Sequence, residues 1–339
     1  MSPALWIREA EVCETLDMTG AIAALREGLR LEASGQAHNM TKTHVRWGGG
    51  HTLHAIGATM PGAGLVGAKT WAHTAGGAAP LELVWDAESG ELRAVIEAFA
   101  LGQLRTGAIT GIATDLLADR GARELAICGT GRQALAQVAA VASVRRLDRV
   151  RVFGRDPSRR RAFAESVGRE LGLATEAFSD VGAAVHEAPI LVLVTRATQP
   201  FLESAMVARG AHVNAIGAIT PERAEFDADL LERCALIASD SPEQALRLSA
   251  ELMHFLAREG RDPQAQGKVV ALSNLLAAGA GRPPDADVTL FKAMGMGISD
   301  LALARSIYET VRERNLGQPL PPPRRCAPRL HPSHEVSSR

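Results

Sequence analysis

The spacing of apolar positions changes character once along this chain, near residue 120. Before that point, Ile22, Leu25 and Leu29 recur on one helical face and predict an amphipathic helix over Thr19–Ala33. Apolar runs broken by glycine follow at 43–47, 52–58, 64–71 and 80–85. Glu88–Gly90 reads as a hairpin turn, with 92–97 as the returning strand. Arg105 opens a polar break ahead of an Ala-rich helix over Gly107–Leu117. After residue 120 the pattern alternates strand and helix. Strands are expected at Leu125–Cys128, Val150–Phe153, Ile190–Thr195, His212–Ile216 and Ala235–Ala238. Helices are expected at Gln133–Ser143, Ala162–Leu171, Ala183–Glu187 and Phe201–Arg209. Residues 190–195 form a continuous apolar run, the signature of a parallel strand buried on both faces. A last helix is expected over Ile298–Arg314.

This order defines an α/β fold class: a Rossmann-type doubly wound parallel sheet over 119–297, preceded by a mixed α+β module over 1–118. The helix within 298–317 is expected to pack back onto that module and complete a substrate and dimerisation domain. The Pro-rich stretch 318–339 reads as a disordered or draped tail.

Bulk properties narrow the function classes. The chain has 339 residues, 46% hydrophobic, with a formal net charge of −1. That balance gives no basic excess for nucleic acid. No apolar stretch approaches the roughly 18 residues of a membrane span, and the N-terminus lacks the charged and apolar regions of a signal peptide. Cys13, Cys128, Cys234 and Cys326 are scattered without metal-ligand spacing, and free thiols suit a cytoplasmic location. A homodimer is the default assembly.

The chemistry concentrates at residues 123–134. An apolar strand runs into Gly129, Gly131 and Ala134, the spacing G-x-G-x-x-A, and a helix follows. Gly129 permits the tight turn, Gly131 lets a pyrophosphate approach the backbone, and Ala134 lets the helix pack close to the strand. Thr130, Arg132 and Gln133 complete the loop, and the helix N-terminus faces the phosphate charge. At the end of the next strand, where an NAD site carries an acid, stand Gly154 and Arg155. Arg155 is suited to clamp a 2′-phosphate, with Ser158 as a further donor. This favours NADP(H). Asp156, one residue late for a ribose ligand, keeps NAD(H) possible. The loops beginning at Thr195 and Gly217 follow sheet strands and are expected to border the nicotinamide.

Three cations in the first half, Arg46, Lys69 and Arg105, each follow or end an apolar segment, and together they suit a carboxylate. Lys69 sits inside an apolar strand. His54 and His73 lie in the same region, and Asp300 near the start of the last helix is either an active-site acid or a plain helix-start carboxylate.

Five motifs then stand in order: Gly67–Thr70 (Gly-Ala-Lys-Thr), Leu104–Ala108 (Leu-Arg-Thr-Gly-Ala), Gly129–Ala134, Val213–Gly217 (Val-Asn-Ala-Ile-Gly) and Thr289–Gly295. In this order the chain resembles the ornithine cyclodeaminase/mu-crystallin family over roughly Leu16–Tyr308. The resemblance implies a Rossmann domain with a dimerisation domain. It makes Arg46, Lys69 and Arg105 the carboxylate-binding set, with Lys69 and Asp300 as candidate catalytic groups. Thr106, Gly129, Thr130, Gly131, Arg132, Gln133, Gly154, Arg155, Ser158, Thr195 and Gly217 become the cofactor-side residues. Two departures stand out. Cyclodeaminases of the family carry an Asp where this chain has Ile219, and a Glu where it has Ala58. An Ile cannot take a proton. The reading is therefore an NAD(P)H-dependent reductase of a cyclic or open-chain 2-imino acid such as Δ1-pyrroline-2-carboxylate or Δ1-piperideine-2-carboxylate. The alternatives are a cyclodeaminase with bound NAD, an alanine-dehydrogenase-like enzyme, and a non-enzymatic NADPH-binding protein.

Overall fold

Two sheets carry the site, and their connectivities differ as the two halves of the pattern require. A computed structural model describes residues 3–259, 269–328 and 330. The first sheet has nine strands. Its main path runs from Gln318–Pro319 through Leu5–Ile7, Leu92–Glu97, Leu81–Asp86, Leu65–Thr74 and His51–Met60 to His38–Asn39. Thr43–Trp47 also pairs with His51–Met60, and Gly77–Ala78 with Leu65–Thr74. Most pairs are antiparallel; Leu5–Ile7 joins Leu92–Glu97 in parallel.

The second sheet has eight strands, all parallel. In space they run Thr175–Phe178, Arg149–Phe153, Glu124–Cys128, Ile190–Leu193, His212–Ala215, Val288–Lys292, Cys234–Ser239, Val269–Ala271. Chain order reverses between Glu124–Cys128 and Ile190–Leu193. That is the topological switch point, where open parallel sheets leave a crevice at their carboxyl ends.

The helix Phe99–Leu117 joins the halves. It packs on Met18–Ala33 on one side and on Ala134–Ala142 on the other. Gly107 and Gly111 allow this closeness: a Cβ on either would meet the backbone oxygen of Ala136 at 2.8 Å or of Ala140 at 3.1 Å. Gly297–Glu313 returns from the second sheet onto the first, against Met18–Ala33 and the strands His51–Met60 and Leu65–Thr74. One continuous apolar cluster runs through both halves, from Ile7 and Leu25 to Ile127 and Val192.

Several expectations are corrected. Arg105 lies inside the helix Phe99–Leu117, whose flanks are apolar because it is packed on several sides. The helix expected from Ala162 begins at Pro157, because the Asp156 side chain accepts from the Arg159 N–H and caps it; such a cap contributes about 1 kcal/mol. The helix expected over Phe201–Arg209 is one 3₁₀ turn, Ser204–Met206. Arg233 donates to the carbonyls of Ser204 and Val207 and holds that segment as a bent connection. The tail does not begin loose: Gln318–Pro319 pairs with Leu5 and Trp6, and Leu320 N–H donates to Ala4 O. Residues 329 and 331–339 of the expected tail lie outside the described residues.

Candidate active site

The carboxyl edge of the parallel sheet gathers most of the residues singled out above. At the switch point Gly129 adopts φ +124°, a conformation that side chains rarely tolerate. A Cβ there would stand 2.6 Å from Val194 O, so the loops after the two central strands touch through backbone. Around Gly131 the space is open: a Cβ would find nothing within 4 Å. Among the described residues none accepts from the backbone N–H of Gly131, Arg132 or Gln133. The buried Gln133 Oε1 also lacks a partner. Open space, free donors and a following helix fit a pyrophosphate. Thr130 packs on the end of the next strand, where a Cβ on Gly154 would meet its Cγ2 at 2.9 Å.

Arg155 and Ser158 are exposed beside this loop. Asp156 spends its carboxylate on the helix cap, and the Arg159 N–H bond holds its pKa below the usual range. Arg160 donates to Gly154 O and so fixes the turn.

Thr195 and Gly217 lie two residues beyond the strands Ile190–Leu193 and His212–Ala215 and touch through backbone; a Cβ on Gly217 would overlap Thr195 O. Both are held by a residue the sequence did not reveal, Glu225, which is fully buried. Its carboxylate accepts from Thr195 N and Thr195 Oγ1 at 2.6 and 2.7 Å and from Gly217 N and Ala218 N at 2.8 and 3.1 Å. Burial pushes its pKa up, while these donors and the Lys292 charge pull it down.

The charged cluster lies where the first sheet meets the last helix. Lys69, buried in Leu65–Thr74, donates to Asp300 in the first turn of Gly297–Glu313. Arg105 Nε stands 3.5 Å from Asp300 Oδ1, and its side chain is the exposed rim of the group at 22%, against 5% for Lys69 and 1% for Asp300. The meeting depends on glycine. The last helix starts against the carbonyl of Gly57, where a Cβ on Gly297 would overlap. Burial lowers the Lys69 pKa, with Arg105 acting in the same direction and Asp300 opposing.

Strand alternation places further groups on the same sheet face. Glu82 is the register partner of Lys69, is 1% exposed, and has Oε2 without a partner. Burial and then Asp300 push its pKa well up, which favours the neutral acid. His44, His54 and Trp71 stack across three strands, with ring centroids 5.5 and 4.7 Å apart. Lys69 Nζ lies 5.5 Å from the Trp71 ring. His54 is lowered to about 4 by burial, then by the Lys42 charge.

Arg46 does not join Lys69 and Arg105. It stands on the exposed strand Thr43–Trp47, 66% exposed, and pairs at 3.7 Å with Glu222 in the loop after Gly217. The third cation of the cluster is Lys42, just before that strand; burial, Arg105 and Lys69 lower its pKa to about 8. Asp240 closes the far side. It accepts from Met294 N and Gly295 N at 2.7 and 2.8 Å, and burial raises its pKa against those bonds and Arg105. No run or spacing marks Lys42, Glu82, Glu225 or Asp240, because each is defined by a partner far away in sequence. His73 is half-buried beside Thr52 in the register.

A switch-point crevice with an open glycine loop at the carboxyl edge of a parallel sheet defines a dinucleotide-binding α/β protein. The chain belongs to the ornithine cyclodeaminase/mu-crystallin family, whose model matches residues 5–315. It is 32% identical over 238 residues to a Δ1-pyrroline-2-carboxylate reductase of Bacillus cereus, covering 69% of this chain and 71% of that protein. It is 32% identical over 229 residues to the ketimine reductase mu-crystallin of Mus musculus, covering 67% and 68%. The fold matches a Thermococcus litoralis Δ1-pyrroline-2-carboxylate reductase solved with NADH and L-proline. That match has a TM-score of 0.87 and 23% identity, covering 93% of this chain and all of the other.

Proposed function

We propose that this protein is an NAD(P)H-dependent reductase of 2-imino acids, acting on the C=N bond beside a carboxylate. Cyclic substrates such as Δ1-pyrroline-2-carboxylate and Δ1-piperideine-2-carboxylate fit, as do open-chain imino acids. The observation that carries the reading is the Lys69–Asp300–Arg105 cluster where the first sheet meets the helices Phe99–Leu117 and Gly297–Glu313. The names of the relatives above support the same class. Ile219 and Ala58 argue against cyclodeamination by the route that uses an acid at those positions.

Arg105, at the exposed rim, receives the substrate carboxylate with Lys42 beside it; fixing that end aligns the imine carbon. Arg46, which stands apart from this pair and ion-pairs with Glu222 in the loop after Gly217, is left out of the carboxylate site. Lys69 supplies the proton that converts imine to iminium, and Asp300 orients it. A Lys69 pKa lowered by burial makes it a readier donor near neutral pH. Glu82, as a neutral acid behind Lys69, leaves the cluster net positive and so suited to an anion.

The loop residues Gly129, Thr130, Gly131, Arg132 and Gln133, with Thr106 from the helix Phe99–Leu117, hold the dinucleotide, with Gly154, Arg155 and Ser158 on the adenosine side and Thr195 and Gly217 at the nicotinamide. When bound there, the reduced nicotinamide supplies the hydride. Arg155, exposed and without a partner among the described residues, favours NADP(H), since Asp156 is committed to its helix.

Residues 1–118 with 298–317 form the substrate and dimerisation domain, and 119–297 the nucleotide domain. The outer face of the first sheet, with Val45 59% and Leu53 45% exposed as a register pair, is the surface for a second copy. Among the described residues no helix is long and apolar enough to cross a membrane. The four cysteines are unbridged, which supports a cytoplasmic setting.

The test is a spectrophotometric screen of NADPH and NADH oxidation against cyclic and open-chain 2-imino acids, with ornithine plus NAD+ as the control. Stoichiometric nucleotide oxidation is expected. Ammonia release from ornithine without net nucleotide change would overturn the reading.

A further inference from the structure

We propose that Glu225 is a positioning residue for the nicotinamide end of the bound dinucleotide, a reading that rests on the nucleotide site proposed above. The argument starts from what an ionised carboxylate can accept. Each oxygen of Glu225 serves one loop: Oε1 takes the N–H and hydroxyl of Thr195, and Oε2 takes the N–H groups of Gly217 and Ala218. The carboxylate therefore sets the separation of the two loops that flank the crevice beyond the central strands. A neutral amide in the same place would turn an NH2 group toward one pair of N–H donors and push that loop away.

The other partners keep the latch rigid. Lys292 at the end of its strand is fully buried, and its Nζ donates to Ala218 O at 2.6 Å, so Ala218 is gripped at both its N–H and its carbonyl. Lys292 also pairs with Glu251 Oε2 at 3.3 Å. Glu251 Oε1 accepts the backbone N–H of Glu225 at 3.1 Å, and Oε2 accepts Ser249 Oγ at 2.6 Å. Three buried ionisable side chains thus converge behind the two loop ends, where the loops' own contribution besides backbone is the Thr195 hydroxyl. The hydrogen bonds of the Glu225 carboxylate go to Thr195, Gly217 and Ala218, so it acts through the loops and not on the substrate.

The experiment compares wild type with Glu225→Gln. It measures the Kd of NAD(P)H, the Kd of the adenine half alone (2′,5′-ADP, or 5′-ADP if NADH is preferred), kcat and KM for the imino acid, and Tm. The nicotinamide-bearing nucleotide is expected to bind five- to tenfold more weakly and kcat to fall at least tenfold. The adenine-half Kd and the imino-acid KM should stay within twofold. Unchanged kcat and NAD(P)H affinity would overturn the proposal. Equal loss for NAD(P)H and the adenine half would overturn it too, since that is the mark of general damage. Glu225→Asp keeps the charge but cannot span both loops; it provides the same comparison if the Gln variant fails to fold, with a smaller shift in the same direction. A folded wild type that binds no nucleotide at all would instead sink the nucleotide site itself.

Discussion

Asp300 accepts a hydrogen bond from Lys69, a residue 231 positions earlier in the chain, and both are almost wholly removed from solvent. Leaving one member of a buried ion pair without its partner costs about 3–5 kcal/mol. Lys69→Met is therefore expected to lower Tm measurably and to reduce kcat about 10²-fold, or ~2.7 kcal/mol in the barrier. Asp300→Asn removes the group that holds the Lys69 pKa up and leaves burial and Arg105 to lower it, so kcat should fall here too, with the Lys69 limb of the pH profile moved to lower pH. Thermal denaturation and steady-state kinetics on both variants check this, and a Lys69→Met enzyme with wild-type kcat would remove Lys69 from the chemistry.

The two fingerprint glycines should fail differently. Gly129→Ala forces a side chain into a left-handed φ and against Val194 O, so it should destabilise the fold by about 1–3 kcal/mol. Gly131→Ala meets nothing within 4 Å and should leave Tm unchanged. Its methyl instead stands where the pyrophosphate approaches, and NAD(P)H affinity should fall about tenfold or more. Calorimetry paired with nucleotide titration separates the two outcomes.

Arg155→Ala tests nucleotide choice. NADPH binding should weaken by about tenfold, the order expected for one charge-assisted phosphate contact, while NADH changes little. Equal weakening of both would remove the 2′-phosphate assignment.

The pH profile carries a signature of Lys42. Burial and the neighbouring Arg105 and Lys69 bring its pKa down from 10.5 to about 8. Below that value it is cationic and helps to hold a carboxylate; above it the charge is lost. The imino-acid kcat/KM should fall as pH rises through about 8, and Lys42→Met should flatten that limb. For stability the sign is opposite. Between about 8 and 10.5 the unfolded chain binds more protons at this lysine than the folded one does, so its penalty on folding is relieved across that window. His54, lowered to about 4, should contribute no limb near neutrality.

Sequence patterning revealed what local chemistry determines. The glycine fingerprint, the period-two strands and the capped amphipathic helix Met18–Ala33 each obey rules readable within a few residues. The segment 201–209 has a helical pattern but not a helix, because its apolar residues serve a bent connection held by Arg233, a contact set by tertiary packing. The site was half legible. Lys69 stands out as a charge in an apolar strand, but Arg46 and Lys42 differ only in where the strand Thr43–Trp47 and its start place them. Glu82 and Glu225 resemble surface acids until register and loop packing bury them beside Lys69 and Thr195.

The long chain separation of Lys69 and Asp300 also bears on biosynthesis. The whole parallel sheet lies between these two groups in the chain and must be synthesised before they can meet, so a chain cut before Gly297–Glu313 holds the glycine loop without the Lys69–Asp300 pair. Formation of the pair thereby waits on synthesis of the sheet that separates its members, and the first sheet on its own cannot bury Lys69 against a carboxylate from the last helix.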